Sequence, residues 1–435
     1  MKGAFYEKEI TPPLGSDMPG YYCHRYAESV MDRLYVKAFV SEAGGDYAAI
    51  IVIDACYLTG YICEAIAKRV QDLTGIPSRH VAVCATHTHN GIPVEKTGEN
   101  DADLAFLEIL IKLSADCAVM ASQRLEVCTF WYGAEQVEDI AYNRIYEMKD
   151  GSFRTNPIGE KDKALRQYSG VDSELPALLV KNAQGEPMGT IWSFACHHDT
   201  VARSLSISSD YSGIASSELK RVYGEDFISM YVAGASGDIN NWPPELTEVQ
   251  REQHRVIGKK LADALTGIFK KAVRSERDSI RCCKDDLILG VRRASAEEIK
   301  RAKAMTEDTE YSNKFGTPGE ATMSEALLEY EALDLKNRSV PLQVIFLGDV
   351  GFFTFPGEMF HQFGEMVKKA CPSKKTLVAT VANDNIGYVP VRELFGTDIY
   401  EAQLCMGSFL EPDAGYLMAR RENEIAHALW LQKCK

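Results

Sequence analysis

The sequence predicts an α/β protein, one large domain built on a mixed, partly parallel sheet covered by helices. Three observations carry this expectation. Residues 81–85 are a short, nearly unbroken apolar run between Pro77-Ser78 and Asn90-Gly91, as expected of a strand covered on both faces. Helical periodicity flanks that run at 61–73 and 101–122, giving the β-α-β-α alternation of a partly parallel sheet. With 435 residues, 46% hydrophobic and 25% charged, the chain has the size and composition to bury a large globular core. No internal repeat or low-complexity tract suggests another architecture.

Composition also excludes some functions. A net charge of −14 argues against a nucleic-acid partner, which wants a basic face, and against electrostatic attraction to anionic membranes. The first ten residues carry no apolar segment of the signal-peptide kind, and no run of eighteen apolar residues occurs. The twelve cysteines contain no Cys-x-x-Cys pair, so neither a thiolate zinc site nor a dithiol redox site is expected. Cys56, Cys84, Cys117 and Cys196 lie in apolar runs and read as small core residues, and Cys282-Cys283 as a solvated pair on a strand. Free thiols without a leader point to the cytoplasm. Nothing in the pattern sets an oligomeric state.

In chain order, Ile10-Thr-Pro-Pro-Leu-Gly15 is a turn-forming entry. Residues 34–43 and 47–54 read as two strands joined by Gly44-Gly45, a hairpin signal. Asp54, at the tip of the second, either caps the following helix or orients a ligand histidine from behind, and the cap is the more economical reading. The run 81–85 ends in Thr-His87-Thr-His89. Extended backbone would place both imidazoles on one face, about 6–7 Å apart, where they converge on one cation or divide metal binding and proton handling between them. The carboxyl end of a strand is also where α/β sheets place their chemistry.

The stretch 125–156 is less regular. Its Arg144 closes a mostly apolar segment after Asn143 and reads from sequence as solvated, with an oxyanion clamp as the alternative. A second apolar strand, from 191, ends in Cys196-His197-His198-Asp199. Adjacent histidines point to opposite faces, so one of the two is expected to be a ligand. Asp210 opens a helix at about 214–222 as a cap or a supporting acid. A strand at 227–233 follows, and then a glycine-rich turn at 234–241 that lacks the Gly-Lys-Ser/Thr ending a phosphate cradle requires. From Asn241-Trp-Pro-Pro-Glu245 the chain passes into a long helix through Ala272. Residues 276–340 read as a strand followed by a charged helical subdomain or lid, with a Gly-Thr-Pro-Gly turn at 316–319. Strands at 342–347 and 350–355 lead to Pro356-Gly357-Glu358 and a helix at 359–370, whose dipole gives Glu358 a purely structural explanation. Residues 377–381 lead on to Tyr388 and Tyr400, which taken alone are ordinary loop tyrosines.

One ordered series binds these pieces together: Ile-Thr-Pro-Pro-x-Gly, Thr-His-Thr-His-x-Gly, Asn-Arg, Phe-Ala-x-His, Gly-Asp near an Asn, Pro-Gly-Glu, and Gly-Tyr-Val followed by Tyr-Glu. It spans nearly the whole chain and resembles the catalytic domain of the neutral/alkaline, non-lysosomal ceramidases. The resemblance implies a zinc ion held by His87, His197, Glu358 and Tyr388, with His89, Arg144 and Tyr400 serving catalysis. It implies a small-molecule or lipid-amide substrate and hydrolysis by metal-activated water. In this scheme His89 handles the proton and Arg144 and Tyr400 stabilise the oxyanion, an effect of about 3–4 kcal/mol per well-placed donor.

Two departures stand out. Ceramidases carry Gly-Asp-Val-Ser-Pro-Asn, whose serine matters for activity, whereas this chain has Gly237-Asp238-Ile239-Asn240-Asn241, with Ser236 just before it. The chain also has no room for the C-terminal immunoglobulin-like domain of longer members. The expectation is therefore a single zinc hydrolase domain over 1–435. The alternatives are hydrolysis of a small soluble amide, ester or lactone, or a silent metal-binding homologue. An amidohydrolase barrel is disfavoured by the irregular β-α order. A metallo-β-lactamase-like enzyme is disfavoured by Gly91-Ile92 where Asp-His would stand.

Overall fold

The structure is a computed structural model that describes residues 1–94, 101–157, 160–201, 204–242, 252–305 and 318–432. The principal strands are β1 (Lys2–Glu9), β2 (Tyr35–Ala43), β3 (Asp46–Ile53), β4 (Val81–Ala85), β5 (Glu126–Gln136), β6 (Glu174–Asn182), β7 (Pro187–Phe194), β8 (Ile228–Ala233), β9 (Ile280–Gly290), β10 (Asn337–Leu347), β11 (Val350–Thr354) and β12 (Lys375–Ala379). The helices are α1 (Gly60–Thr74), α2 (Asp101–Ser122), α3 (Asp210–Tyr223), α4 (Gln253–Lys271), α5 (Ala296–Ala304), α6 (Glu320–Ala332), α7 (His361–Ala370) and α8 (Ala414–Leu431).

The larger sheet runs β8-β7-β6-β5-β1-β2-β3-β4, with Val273–Arg274 added at β5. It is parallel at both ends, β7 with β8 and β3 with β4, and antiparallel between. A second sheet runs β9-β10-β11-β12, parallel only in its last pair. The two sheets pack face to face. Phe39, Ile50, Leu178 and Ile191 of the first share one core with Ile280, Ile345, Phe352 and Leu377 of the second. Helices α1 to α4 cover the outer face of the first sheet, and α7 and α8 that of the second. The mixed sheet covered by helices is thus present, doubled into a sandwich that periodicity could not foresee.

Strand β4 shows why it reads as continuously apolar. Val81, Val83 and Ala85 face the helix side and Ala82 and Cys84 the other sheet, so both faces are dry. In the hairpin β2–β3, Ala43 opposes Asp46 across Gly44-Gly45, whose φ of 63° and 91° suit a primed turn.

Several expectations change. Strands β1, β5 and β6 were not foreseen, and β5 alone places eleven residues of the irregular stretch in the sheet. Asp54 caps no helix: α1 begins later, after Thr59, and the Asp54 carboxylate accepts from Tyr35 N at 2.8 Å. Asp210 is the first residue of α3, with φ 54°, and its carboxylate takes hydrogen bonds from the Thr200 hydroxyl and, at 3.1 Å, from Val201 N. Helix α4 begins at Gln253, and residues 243–251, where the long helix was to begin, lie outside the described residues, as does the start of the 316–319 turn. Within 276–340, β9 is paired along its length with β10, and among the described residues the helical, charged character belongs to α5 and α6.

One connection sets the geometry that follows. After β12, Thr380 N donates to Ala233 O at 2.7 Å, Val381 O accepts from Ala85 N at 3.2 Å and Asn383 N donates to Val83 O at 2.7 Å. The segment therefore stitches the two edges of the larger sheet, β8 and β4, to each other. Strand ends that lie far apart in sheet order are brought to one place.

Candidate metal centre

His87 does not continue its strand. β4 stops at Ala85, and His87 takes φ 68°, the left-handed region in which histidine is over-represented among non-glycine residues. The turn, rather than strand alternation, swings its ring toward His89, with Nε2 atoms 3.4 Å apart and ring centroids 4.9 Å apart. His87 Nδ1–H donates to Cys56 O at 2.8 Å, leaving the Nε2 lone pair facing inward. His197, beyond the end of β7, is set the same way: Nδ1–H donates to Ser236 O at 3.2 Å and Nε2 faces inward. His198 turns away and packs on Tyr211 and Tyr231, as the alternation of adjacent histidines requires.

The two inward nitrogens are 3.1 Å apart. With both Nδ1 atoms carrying the proton, neither Nε2 has a hydrogen to share, and the approach suits two lone pairs turned to one cation. Glu358 supplies the counterpart, with Oε2 at 3.4 Å from His87 Nε2 and 3.7 Å from His197 Nε2. That oxygen is buried and has no hydrogen-bond partner. Two imidazole lone pairs and an orphaned carboxylate oxygen within 4.8 Å of one another are a donor set that fits a divalent cation. Two nitrogens bound to one ion at about 2.0–2.1 Å each stand at about this separation. Cys56, His87 and His89 form a second such group.

Glu358 is not in a helix. It forms a two-residue strand with Met359, paired in parallel with Tyr388–Val389, and Glu358 is the register partner of Tyr388. The dipole explanation therefore falls, since α7 begins only at His361. Gly237 packs against this strand so closely that a Cβ there would lie 2.4 Å from Glu358 O.

Arg144 is buried, not solvated. Its Nε lies 2.8 Å from Glu401 Oε1 in an ion pair excluded from water, and its Nη2 donates to Gly237 O at 2.5 Å. Thr155 Oγ1 fixes the other Glu401 oxygen at 2.6 Å. The guanidinium carbon lies 5.4 Å from the ring centre of Tyr388 and 5.5 Å from that of Tyr400, and the two rings meet edge to face at 5.5 Å. Burial, then Arg144 and the neighbouring histidines, push His197 well below its ordinary pKa; burial, then His87 and Arg25, do the same for His89. Burial also opposes a charge on His87, but Cys56 and Glu358 outweigh it and raise its pKa. A proton at His87 and a cation at the same point are alternatives.

The seven residues singled out in the sequence thus fall into two adjoining groups: His87, His89, His197 and Glu358, and Arg144, Tyr388 and Tyr400. Asn240 is buried in a short pairing with Tyr142 and donates to Asn156 Oδ1 at 2.7 Å. Three contributors escaped the sequence. Cys56, read as core, holds His87 through its carbonyl and lies with Sγ 3.9 Å from Nδ1. Glu401, adjacent to Tyr400, is the partner of Arg144. Asp238 ties Asn143 to the start of α7, accepting from Asn143 Nδ2 at 2.8 Å, His361 N at 2.8 Å and the His361 ring at 2.7 Å. The acidic residue in each of the Gly-Asp and Tyr-Glu pairs was the available signal.

Residues 7–242 match the family described as "Neutral/alkaline non-lysosomal ceramidase, N-terminal". No curated protein matches the chain. A solved structure described as "Ceramidase complexed with C2" superposes with a TM-score of 0.74 at 16% identity, covering 99% of this chain and 75% of that one. The crystal structure of neutral ceramidase from Pseudomonas aeruginosa gives 0.71 at 16% identity, covering 98% and 74%. The fold is therefore shared at low identity, and the match over residues 7–242 places this chain in the neutral/alkaline non-lysosomal ceramidase family.

Proposed function

We propose that the protein is a zinc-dependent hydrolase of a linear N-acyl amide, with His87, His197, Glu358 and Tyr388 as the ligand set and His89, Arg144 and Tyr400 as the catalytic groups. The observation that carries the reading is the buried, unpartnered Glu358 Oε2 facing two inward imidazole nitrogens. Zinc held there supplies Lewis acidity and brings the pKa of a water toward about 7. The chain's own residues do the rest. His89, with Nδ1 unpartnered and its backbone held by Arg25 and His198 O, takes the proton of the attacking water and returns it to the leaving amine. Arg144, fixed by Glu401 and Gly237 O, and the Tyr400 hydroxyl present donors to the oxyanion without reorganising. Tyr388, register partner of Glu358, packs edge to face on Tyr400 and so joins the two groups.

This scheme needs no nucleophilic serine, so Asn240 in the family's serine position alters substrate or leaving-group positioning rather than removing the chemistry. An Asn240→Ser variant should change relative rates across an amide panel; unchanged kinetics on every substrate would count against that role. Among the described residues, no helix is long and apolar enough to cross a membrane. Among the described residues eleven cysteines are free, which favours a reducing compartment such as the cytoplasm.

The test is metal analysis of the purified protein beside a His87→Ala/Glu358→Ala double variant, with release of fatty acid from ceramide and of amine from short N-acyl amines measured on the zinc-loaded protein. Stoichiometric zinc that is lost in the variant, with turnover abolished by chelation and restored by zinc, is expected. No bound metal after zinc is offered would overturn the centre. Zinc without turnover on any amide, ester or lactone would leave a metal-binding protein and overturn the hydrolase.

A further inference from the structure

Besides the candidate metal ligands, the structure brings together a serine, a histidine and an aspartate that the scheme above leaves unused. Asp238 Oδ2 accepts from His361 Nδ1 at 2.7 Å, and Oδ1 from His361 N at 2.8 Å. With Nδ1 carrying that proton, the Nε2 lone pair faces the Ser169 hydroxyl at 3.5 Å. That distance is long for a hydrogen bond, as nucleophile–base contacts are before a substrate draws them in. Asp238 and His361 are buried, at 0% and 3% exposure, while Ser169 is partly open to solvent.

The three residues come from separate parts of the chain. Ser169 lies on the turn after the short strand Ala164–Gln167, Asp238 in the glycine-rich turn after β8, and His361 at the first residue of α7. Capping α7 accounts for the bond to His361 N, but not for a ring that joins the same carboxylate to a hydroxyl. Burial opposes a charge on this imidazole, and Asp238 outweighs it and raises its pKa. Asn143 holds the parts in register: its Nδ2 donates to Asp238 Oδ2 at 2.8 Å and to Gly170 O, beside Ser169, at 3.3 Å. The turn opens outward, since Gly170 is exposed and a methyl group placed on it would meet nothing within 4 Å. Among the described residues, no hydrogen bond takes up the N–H of Ser169 or of Gly170. Two donors are thus free on the serine's own turn, where serine hydrolases receive an oxyanion.

We propose that Ser169, His361 and Asp238 form a second hydrolytic site, of the serine type and independent of metal, that acts on small carboxylic esters. Ser169 Oγ attacks the ester carbonyl carbon as its proton passes to His361 Nε2; the acyl–oxygen bond breaks, the alcohol leaves with that proton, and the acyl group stays on Oγ. Water then attacks the acyl-serine and gives a proton to His361, which returns it to Oγ as the acid departs. Asp238 is the positioning residue: it fixes the tautomer and stabilises the imidazolium. An open turn suits a small ester and encloses no long chain. None of the three residues is a candidate metal ligand, so the inference stands apart from the amidase reading.

The test treats the full chain with a fluorophosphonate, with zinc bound and after its removal by dipicolinate, and maps the adduct by peptide mass spectrometry. Attack of Oγ on phosphorus expels fluoride, the proton passes to His361, and a stable phosphonate ester remains. A stoichiometric adduct at Ser169 with or without zinc is expected, together with p-nitrophenyl acetate hydrolysis that survives chelation. Ser169→Ala, at a partly exposed position, should abolish the adduct and lower metal-free kcat/KM on that ester at least about 100-fold, leaving zinc content and any zinc-dependent amide turnover unchanged. His361→Gln, with Ser169 in place, should slow labelling by a similar factor. No adduct, or an adduct on another residue, would overturn the inference. Ester hydrolysis that disappears with the zinc would belong to the metal centre and overturn it as well. Labelling of Ser169 that His361→Gln leaves unchanged would overturn the relay. None of these outcomes decides the amidase reading, which is judged on amide turnover alone.

Discussion

Arg144 and Glu401 form an ion pair that water does not reach, at 3% and 0% side-chain exposure. Such a pair is a weak source of net stability while both members are present, but removing one leaves an uncompensated buried charge. Glu401→Gln should therefore destabilise the fold by about 3–5 kcal/mol in urea unfolding, and reduce kcat more than it raises KM, since the guanidinium loses its fixed direction. Nothing local foretells this. An arginine after Asn143 looks the same in sequence whether it meets water or a carboxylate far down the chain, and so Arg144 read as solvated. The histidine-bearing turns at His87 and His197 were legible for the opposite reason: each follows an apolar run, and the change from buried run to chemistry-bearing side chain is visible within a few residues, whereas Glu358 alone read as a helix-dipole acid and joined them only through the resemblance. Cys56 was hidden because its part in the site is played by a backbone carbonyl, which every residue has.

At the level of elements, the two-residue strand Glu358–Met359 decides where the carboxylate stands, and Gly237 decides where the strand stands. A methyl group at Gly237 would meet Glu358 O at 2.4 Å, against backbone that has little freedom to yield. Gly237→Ala should cost about 1–3 kcal/mol in stability and weaken zinc retention, measured by competition with a chromogenic chelator, although the substituted residue touches no metal ligand side chain. Zinc affinity equal to that of the unaltered protein would show that the strand position is not set there. The hairpin β2–β3 could be read in advance because Gly44-Gly45 admits the positive φ values its turn demands. β1 and β5 could not: Lys-Gly-Ala-Phe-Tyr-Glu-Lys-Glu and Glu-Val-Cys-Thr-Phe-Trp-Tyr-Gly-Ala-Glu-Gln mix charge and apolar residues without clean alternation, because much of each strand is only half-buried. Their place in the sheet comes from partners distant in sequence.

Across the whole molecule, buried acids shape the response to pH, Asp54, Asp210 and Glu422 among them. Burial raises Asp54 to about 6 and Asp210 to about 7, and pushes Glu422 well above the usual carboxylate range. Each holds its proton more firmly folded than unfolded, so its stabilising contribution is complete below the unfolded value near 4 and is lost as pH rises through the folded value. For Asp54 the loss amounts to about 2–3 kcal/mol between pH 4 and pH 7.5. Asp54→Asn, which retains an acceptor for Tyr35 N, should gain stability relative to the parent by about that amount over the same interval, read from urea midpoints. Glu422→Gln should behave likewise, its advantage growing as pH rises from the unfolded value near 4.3; an advantage that shrinks would show the carboxyl to be ionised in the fold. The stitching of both sheet edges by residues 380–383 sets an order of events during synthesis. His87 and His197 leave the ribosome long before Glu358, so the candidate donor set is complete only after the second sheet has been synthesised. A cation held by all three side chains would therefore be acquired only once Glu358 has been made and its short strand has paired with Tyr388–Val389.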